Sequence, residues 1–415
     1  MAKCKSFASS LIKVVGQANE EKKSLQLRAL VHHLFFKEQV SKKMIVRQLQ
    51  VSKGFVQRWT SAPEQDLSTD ERGWAKGQRR QWDQTTIERI KEIHQFQQAD
   101  PHQFFCGATA INQEWRRRYP QVAVPPLRTI GRILAELGLS GKRRTTKAKG
   151  AARYLCYPEH TIYHQLPGRV LEADFIGKKY LGGGEPLNFI GFSFKKAPKL
   201  RHFQYVPAQT ADVIISQAQR FFERFEKPDY FKVDNCGATI GSGSSPRTLS
   251  RFICFLLSEQ IIPIFAVPRK PFSQASIEGN NSVFSRKFWN QREFTGQADV
   301  VEQLEWFNQA SELYTDYRRP SQPRTNQSNF VPQIYFIRQV VDDAGARSGV
   351  INVLNEKISL PAAYINYFVL ARWNLSQQRL VIYFEKELKP KRIKQMKFPI
   401  NQNATYKKGA FSFGH

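Results

Sequence analysis

Between residues 165 and 290 the apolar residues change period in an order that few folds can accept. "GRVLEADFIGKKYL", "LNFIGFSFKKA" and "RHFQYVPAQT" alternate like strands, and "GGGEP" joins the first two. Then come an amphipathic helical stretch, "ADVIISQAQRFFERF", and the short strand "YFKVD". The helix "PRTLSRFICFLLSEQ", the strand "IIPIFAVP" and the helical "SQASIEGNNSVFSRKFWNQ" follow. Three strands, then helix and strand in alternation, predict a mixed sheet with helices packed on its faces. Gly182, Gly183 and Gly184 predict a hairpin turn, because no GK[ST] follows to make a phosphate loop.

The flanks differ in kind. "LQLRALVHHLFF" has helical spacing, and "VSKKMIVRQLQVSKGFVQRWTS" predicts two short helices with Ser52 as the second N-cap. That is a helix-turn-helix pattern over residues 1–62, with Lys53, Gln57 and Arg58 on the outer face. A polar linker covers 63–82. Three more helices over 83–141 make a second helix-turn-helix candidate, with Pro126 near the start of the last helix and Gly138 at its end. Arg128, Thr129 and Arg132 face outward there. Lys142, Arg143 and Arg144 open a basic linker over 142–164 suited to tracking phosphates. Residues 326–347 are expected to connect the α/β domain of 165–325 to a small β-barrel over 348–400, with a flexible tail at 401–415. The fold class is therefore multidomain α/β.

Charge narrows the partner. Sixty-three Lys and Arg against 35 Asp and Glu give +28 and a pI near 10.0, so a polyanion, nucleic acid by default, is expected. No apolar run is long enough to span a membrane, and the first residues lack a signal-peptide pattern. The five cysteines include no C-x-x-C pair, which argues against a disulfide framework and a zinc finger and suits a reducing cytoplasm. Cys156, His160 and His164 have ligand-like spacing, but Pro158 breaks the helix they would need and a fourth ligand is missing.

Three acids occupy telling positions. Asp174 lies within the first strand, Asp234 ends the fourth, and Glu278 lies in the first turns of the helix after the fifth. With the first and fourth strands side by side, both aspartates share one sheet edge and the helix lays Glu278 over them. Carboxylates so close cannot all ionise without a compensating cation. Two divalent ions roughly 3.5–4 Å apart would compensate them and act on a phosphodiester. All-oxygen ligands favour Mg²⁺, with Mn²⁺ as a substitute. Gly237 is expected to let the chain swing away from that site. Glu172 competes with Asp174, since residues two apart on a strand share a face.

Here the chain resembles a family. "RVLEADFIG", "FKVDNCGA" and "KPFSQASIEGNNSVFSRKFW" are similar to the three acid-bearing segments of the retroviral-integrase-like DDE recombinases. "WFNQASELYTDYRRPSQ" resembles the segment that closes their catalytic domain. The paired helix-turn-helix region and terminal β-domain resemble bacterial insertion-sequence transposases of that class. The resemblance favours Asp174 over Glu172 and implies a ribonuclease-H-like core with Asp174, Asp234 and Glu278 as catalytic metal ligands. It implies a DNA transposase, nucleoid-associated in a bacterial cytoplasm, that binds element ends and cuts them with metal-activated water. The freed 3′-hydroxyl is then joined to target DNA. A dimer or tetramer on DNA is implied, and a helper ATPase is a further possible partner. Arg269, Lys270, Arg286 and Lys287 would grip the DNA backbone, and Gln274 and Asn281 would lie near the scissile phosphate. Two departures stand out: 43 residues separate Asp234 from Glu278, and Ala275-Ser276 stands where the family often has Asn-Gly. The residues alone leave open an inert DNA-binding regulator or a metal-dependent nuclease that does not join.

Overall fold

The computed structural model describes residues 20–67, 82–140 and 168–401, apart from 183, 185, 195, 197, 242–244, 271–273, 321–323, 325–328 and 387–388. Lys142, Arg143, Arg144, Cys156, His160 and His164 lie outside the described residues. The chain divides into two compact units, Met1–Asp83 and Gln84–His415.

The first unit is helical: α1 (Glu20–Phe36), α2 (Lys42–Leu49) and α3 (Lys53–Trp59), then a 3-10 turn at Glu64–Leu67. The Ser41 and Ser52 hydroxyls accept the Met44 and Phe55 backbone N–H groups and so start α2 and α3. Gln50, left-handed at φ 53°, stops α2 and sets the short turn between them. Leu30, Val31, Leu34, Ile45, Val56 and Trp59 form the core, and the Arg28 guanidinium lies 4.3 Å over the Trp59 ring.

The second unit opens with α4 (Gln84–Ala99), α5 (Ala108–Arg118) and α6 (Leu127–Glu136). Gly138, at φ 70°, closes α6 by donating to the Ala135 carbonyl. These helices, expected over 83–141 as a second helix-turn-helix domain, belong to the same compact unit as the α/β core. Two adjacent aromatics in the α4–α5 loop, Phe104 and Phe105, are buried among Phe203, Phe284, Phe288 and Phe307 of the α/β core. Gln113 Nε2 also donates to the Leu313 and Tyr314 carbonyls. Burying two phenylalanines is worth several kcal/mol, about 1.5–3 each, which holds the helices in place.

The sheet follows in chain order as β1 (Val170–Tyr180), β2 (Pro186–Phe194), β3 (Leu200–Val206), α7 (Ala211–Arg224) and β4 (Tyr230–Val233). A one-turn helix α8 (Gly237–Ile240), α9 (Arg251–Ser258), β5 (Ile262–Phe265) and α10 (Ala275–Phe284) come next, then a π turn at Ser285–Trp289 and α11 (Gln297–Thr315). The strands lie in the order β3-β2-β1-β4-β5. β1 to β3 are antiparallel, and β4 and β5 run parallel to β1. This arrangement is compatible with a ribonuclease-H-like core. Alternation along β2 sends Ile190, Phe192 and Phe194 to the face covered by α7 and α9, and Leu187 and Phe189 to the face of α10 and α11. The backbone of edge strand β3 is covered at Phe203, whose N–H and carbonyl both bond the buried Asn308 amide of α11.

The C-terminal strands depart from the barrel expected over 348–400. β6 (Gln333–Gln339), inside the expected connector, pairs in parallel with β5. β10 (Phe368–Asn374), β11 (Arg379–Lys386) and β12 (Lys389–Lys397) extend the same sheet to nine strands. β7 (Val341–Asp343), β8 (Ser348–Val353) and β9 (Glu356–Leu360) form a separate three-stranded sheet. Ile351, Val353 and Ile358 from it share a core with Phe336, Trp373 and Ile382, so two sheets bury their faces together without closing a strand ladder. No helix among the described residues is long and apolar enough to cross a membrane.

His202 on β3 gives a test of this core. It is 2% exposed, its ring centroid lies 5.0 Å from that of Phe225, and burial pushes its pKa down to about 3. The folded state holds the neutral ring, so this contribution is complete above the unfolded value near 6.5 and is lost as pH falls toward 3. The unfolding free energy of the parent, from urea titrations, is expected to fall between pH 6.5 and 5 by up to about 1.4 kcal/mol per pH unit. His202→Phe should flatten that slope; equal slopes for the two proteins would remove the imidazole as its cause.

Candidate functional site

Strand register builds the site. β1 and β4 pair with Leu171 opposite Phe231 and Glu172 opposite Lys232. Carried two residues further, the same offset sets Asp174 opposite Asp234. The two positions differ sharply in chemistry. Glu172 and Lys232 are almost wholly buried and pair at 3.2 Å. Asp174 and Asp234 are half-buried, and no Lys or Arg among the described residues pairs with either. One step along the ladder replaces a neutralised pair with two like charges.

Glu278 joins them from α10. Asn281, one turn later on the same helix face, donates from Nδ2 to Asp174 Oδ2 at 2.9 Å. Asn280 Nδ2 donates to Ser193 Oγ at 2.5 Å and ties the helix to β2 as well. Burial and the charges of Asp234 and Glu278 push the Asp174 carboxyl up to about 7, against the smaller opposing effect of Asn281. Burial also raises Glu278.

Gly191 makes this docking possible. It lies across the ladder from Asp174, and a Cβ there would meet Asn281 Oδ1 at 3.0 Å and Phe203 ring carbons at 3.2 Å. Gly191→Ala is expected to cost about 1–3 kcal/mol by overpacking and to weaken the Asn281–Asp174 bond. A melting temperature equal to the parent's would show that the helix yields without cost. Gly237, expected to supply the bend after Asp234, has no positive φ and open space where a Cβ would lie, so its flexibility is not used. The bend is set by side chains instead. Asp234 Oδ1 accepts the Cys236 N–H at 3.3 Å, and the Thr239 hydroxyl donates to the Asp234 carbonyl at 2.9 Å.

Three hard-oxygen carboxylates whose repulsion is unrelieved by a neighbouring cation suit divalent Mg²⁺ or Mn²⁺ in donor chemistry. In spacing they are not ready-made: among the described residues no group of three His, Cys, Asp or Glu side chains is gathered closely enough to hold an ion.

The expected DNA contacts divide. Lys53, Gln57, Arg58, Arg128, Arg269 and Arg286 are exposed. Thr129, Lys270 and Lys287 are half-buried, and Arg132 pairs with Glu136 at 3.5 Å. Gln274 is 7% exposed and packed at the foot of α10. Sequence reasoning passed over Lys179, whose Nζ bonds Ser285 Oγ at 3.2 Å beside α10, and Arg338, discussed below. Arg338 carried a readable signal, a cation inside the apolar run "IYFIRQV".

No family model matches the chain, and no curated protein matches it. Among solved structures, it is similar to the catalytic core domain of BIV integrase, at 13% identity and a TM-score of 0.24, over 38% of this chain and 86% of that one. A chain of the simian T-cell lymphotropic virus intasome, solved in complex with the PP2A regulatory subunit B56 gamma, aligns at 11% identity and a TM-score of 0.31, over 75% of this chain and 100% of that one. The NurA nuclease from Sulfolobus solfataricus aligns at 11% identity and a TM-score of 0.17, over 58% and 70% of the two chains. Overlaps of this size assign neither a family nor an activity.

Proposed function

We propose that this chain is a divalent-metal-dependent polynucleotidyl transferase acting on double-stranded DNA, and specifically a transposase that cuts element ends and joins them to a target. One observation carries the reading: Asp174 on β1 and Asp234, directly after the adjacent parallel strand β4, lie near enough to each other and to Glu278 for the other two charges to raise the Asp174 carboxyl, and among the described residues no Lys or Arg pairs with either aspartate, in a protein of charge +28. Asp174, Asp234 and Glu278 would hold the ions, which when bound supply Lewis-acid activation of the attacking and leaving oxygens. The protein's own share is to position. Asn281 orients the Asp174 carboxylate, and Arg269 and Arg286 bind phosphates beside the site. Lys53, Gln57 and Arg58 on α3 read an element end, as Arg128 does on α6.

The test uses the full chain and 3′-hydroxyl duplexes taken from the DNA that brackets its gene, with a supercoiled plasmid as target. Joined products in Mg²⁺ or Mn²⁺ and none in EDTA are expected. Nicking without joining would make it a nuclease. DNA binding with neither product would make it an inert regulator.

A further inference from the structure

Arg338 is a buried guanidinium with no acid beside it. It lies on β6, 4% exposed, and among the described residues no carboxylate pairs with it. A buried charge without a counter-ion is costly, and here only neutral oxygens compensate it. Nε donates to the Asn352 carbonyl of β8 at 2.7 Å. Nη1 donates to the Ala266 carbonyl at the end of β5, at 3.1 Å, and to that of Ile337 at 2.9 Å. Nη2 donates to Asn235 Oδ1 at 2.9 Å. Asn235 returns a bond from Nδ2 to the same Ala266 carbonyl at 2.6 Å. Asn235 directly follows Asp234.

One side chain therefore joins three parts: the turn after the second acid, the end of the neighbouring strand, and the separate C-terminal sheet. Only a planar fork with donors in several fixed directions can do this. A merely space-filling role would be served more cheaply by an apolar residue.

We propose that Arg338 is a positioning residue: through Asn235 it fixes the Asp234 carboxylate for metal binding, so the C-terminal strands are a working part of the active site. The metal half of this rests on the reading of Asp234 as a ligand. The same clamp gives β6 a reason to continue the sheet that carries Asp174. A tethered, separate barrel could not hold the Asp234 turn to a fraction of an ångström.

The test compares the full-length parent with Arg338→Lys and with Asn235→Ala, a milder change that leaves Arg338 its three carbonyl partners. Circular dichroism and melting establish that each is folded. Two readouts follow: hydrogen exchange of the peptide covering 234–240, and Mn²⁺ affinity by electron paramagnetic resonance. Removing a residue that orients a metal ligand is expected to weaken Mn²⁺ binding about ten- to a hundredfold and to speed exchange in that peptide. Folded variants with parental exchange and parental Mn²⁺ affinity would overturn the proposal. Should Arg338→Lys fail to fold, Asn235→Ala decides alone. If the parent binds no Mn²⁺ that Asp174→Asn abolishes, the triad reading itself fails, and the exchange readout still decides whether the clamp exists.

Discussion

Asp174→Asn is expected to melt higher than the parent in EDTA and, if the proposed function holds, to lose DNA cleavage and joining by on the order of a thousandfold or more. The two effects share a cause. In the folded chain Asp174 is half-buried and faces the charges of Asp234 and Glu278, which with burial push it up to about 7. An isosteric amide keeps its place in the ladder and removes that repulsion, a gain of roughly 1–3 kcal/mol after allowing for partial solvent screening. The same change deletes one of three oxygen donors and the charge that would attract the ions. The element-end binding proposed for α3 and α6 should be unchanged, since their exposed cations are untouched. A mutant that melts higher and still joins DNA would exclude Asp174 from the chemistry. One that melts lower would show that the acids are already compensated in the folded protein. Such opposed changes in stability and activity are what strain held for function produces.

What was legible beforehand was local pattern, and what was not was pairing between distant segments. The strands bearing Asp174 and Asp234 and the helix bearing Glu278 follow from periodicity alone. The choice between Glu172 and Asp174 did not, because both lie on one face of β1. It turns on Lys232, sixty positions away, whose burial with Glu172 takes that acid out of solvent. A lysine within "YFKVD" was the available sign. The C-terminal strands show the same division. Their alternation is plain, but nothing in "PQIYFIRQ" tells that it will pair with β5, so it passed for a connector. Likewise the helices over 83–141 were readable as helices. That Phe104 and Phe105 plug them into the core was not, since adjacent aromatics do not name their partners. Of Gly191 and Gly237, it is Gly191, in the mid-strand run "FIGF", that the packing needs.

Lys232→Met is expected to be among the most destabilising single changes, at about 3–5 kcal/mol, because it removes the ammonium paired with the buried Glu172 carboxylate. Both members are at most 2% exposed, and burial lowers the lysine's pKa against the pull of Glu172, so neither charge has water to fall back on. The double change Glu172→Leu with Lys232→Met removes both charges and approximately conserves volume, and should recover most of the loss. Urea unfolding of the four proteins of this cycle measures the coupling directly. A Lys232→Met protein within about 1 kcal/mol of the parent would mean that the site is hydrated and the pair incidental. The double variant then separates stability from register. Glu172 and Lys232 face each other two residues before Asp174 and Asp234 do, so the pair penalises a slipped ladder in which the acids would no longer meet. If the pair specifies register, the double variant should fold stably yet lose part of the Mn²⁺ affinity proposed for the acids. If apolar packing already specifies register, it should bind Mn²⁺ as the parent does, and the buried ion pair would then act on stability alone.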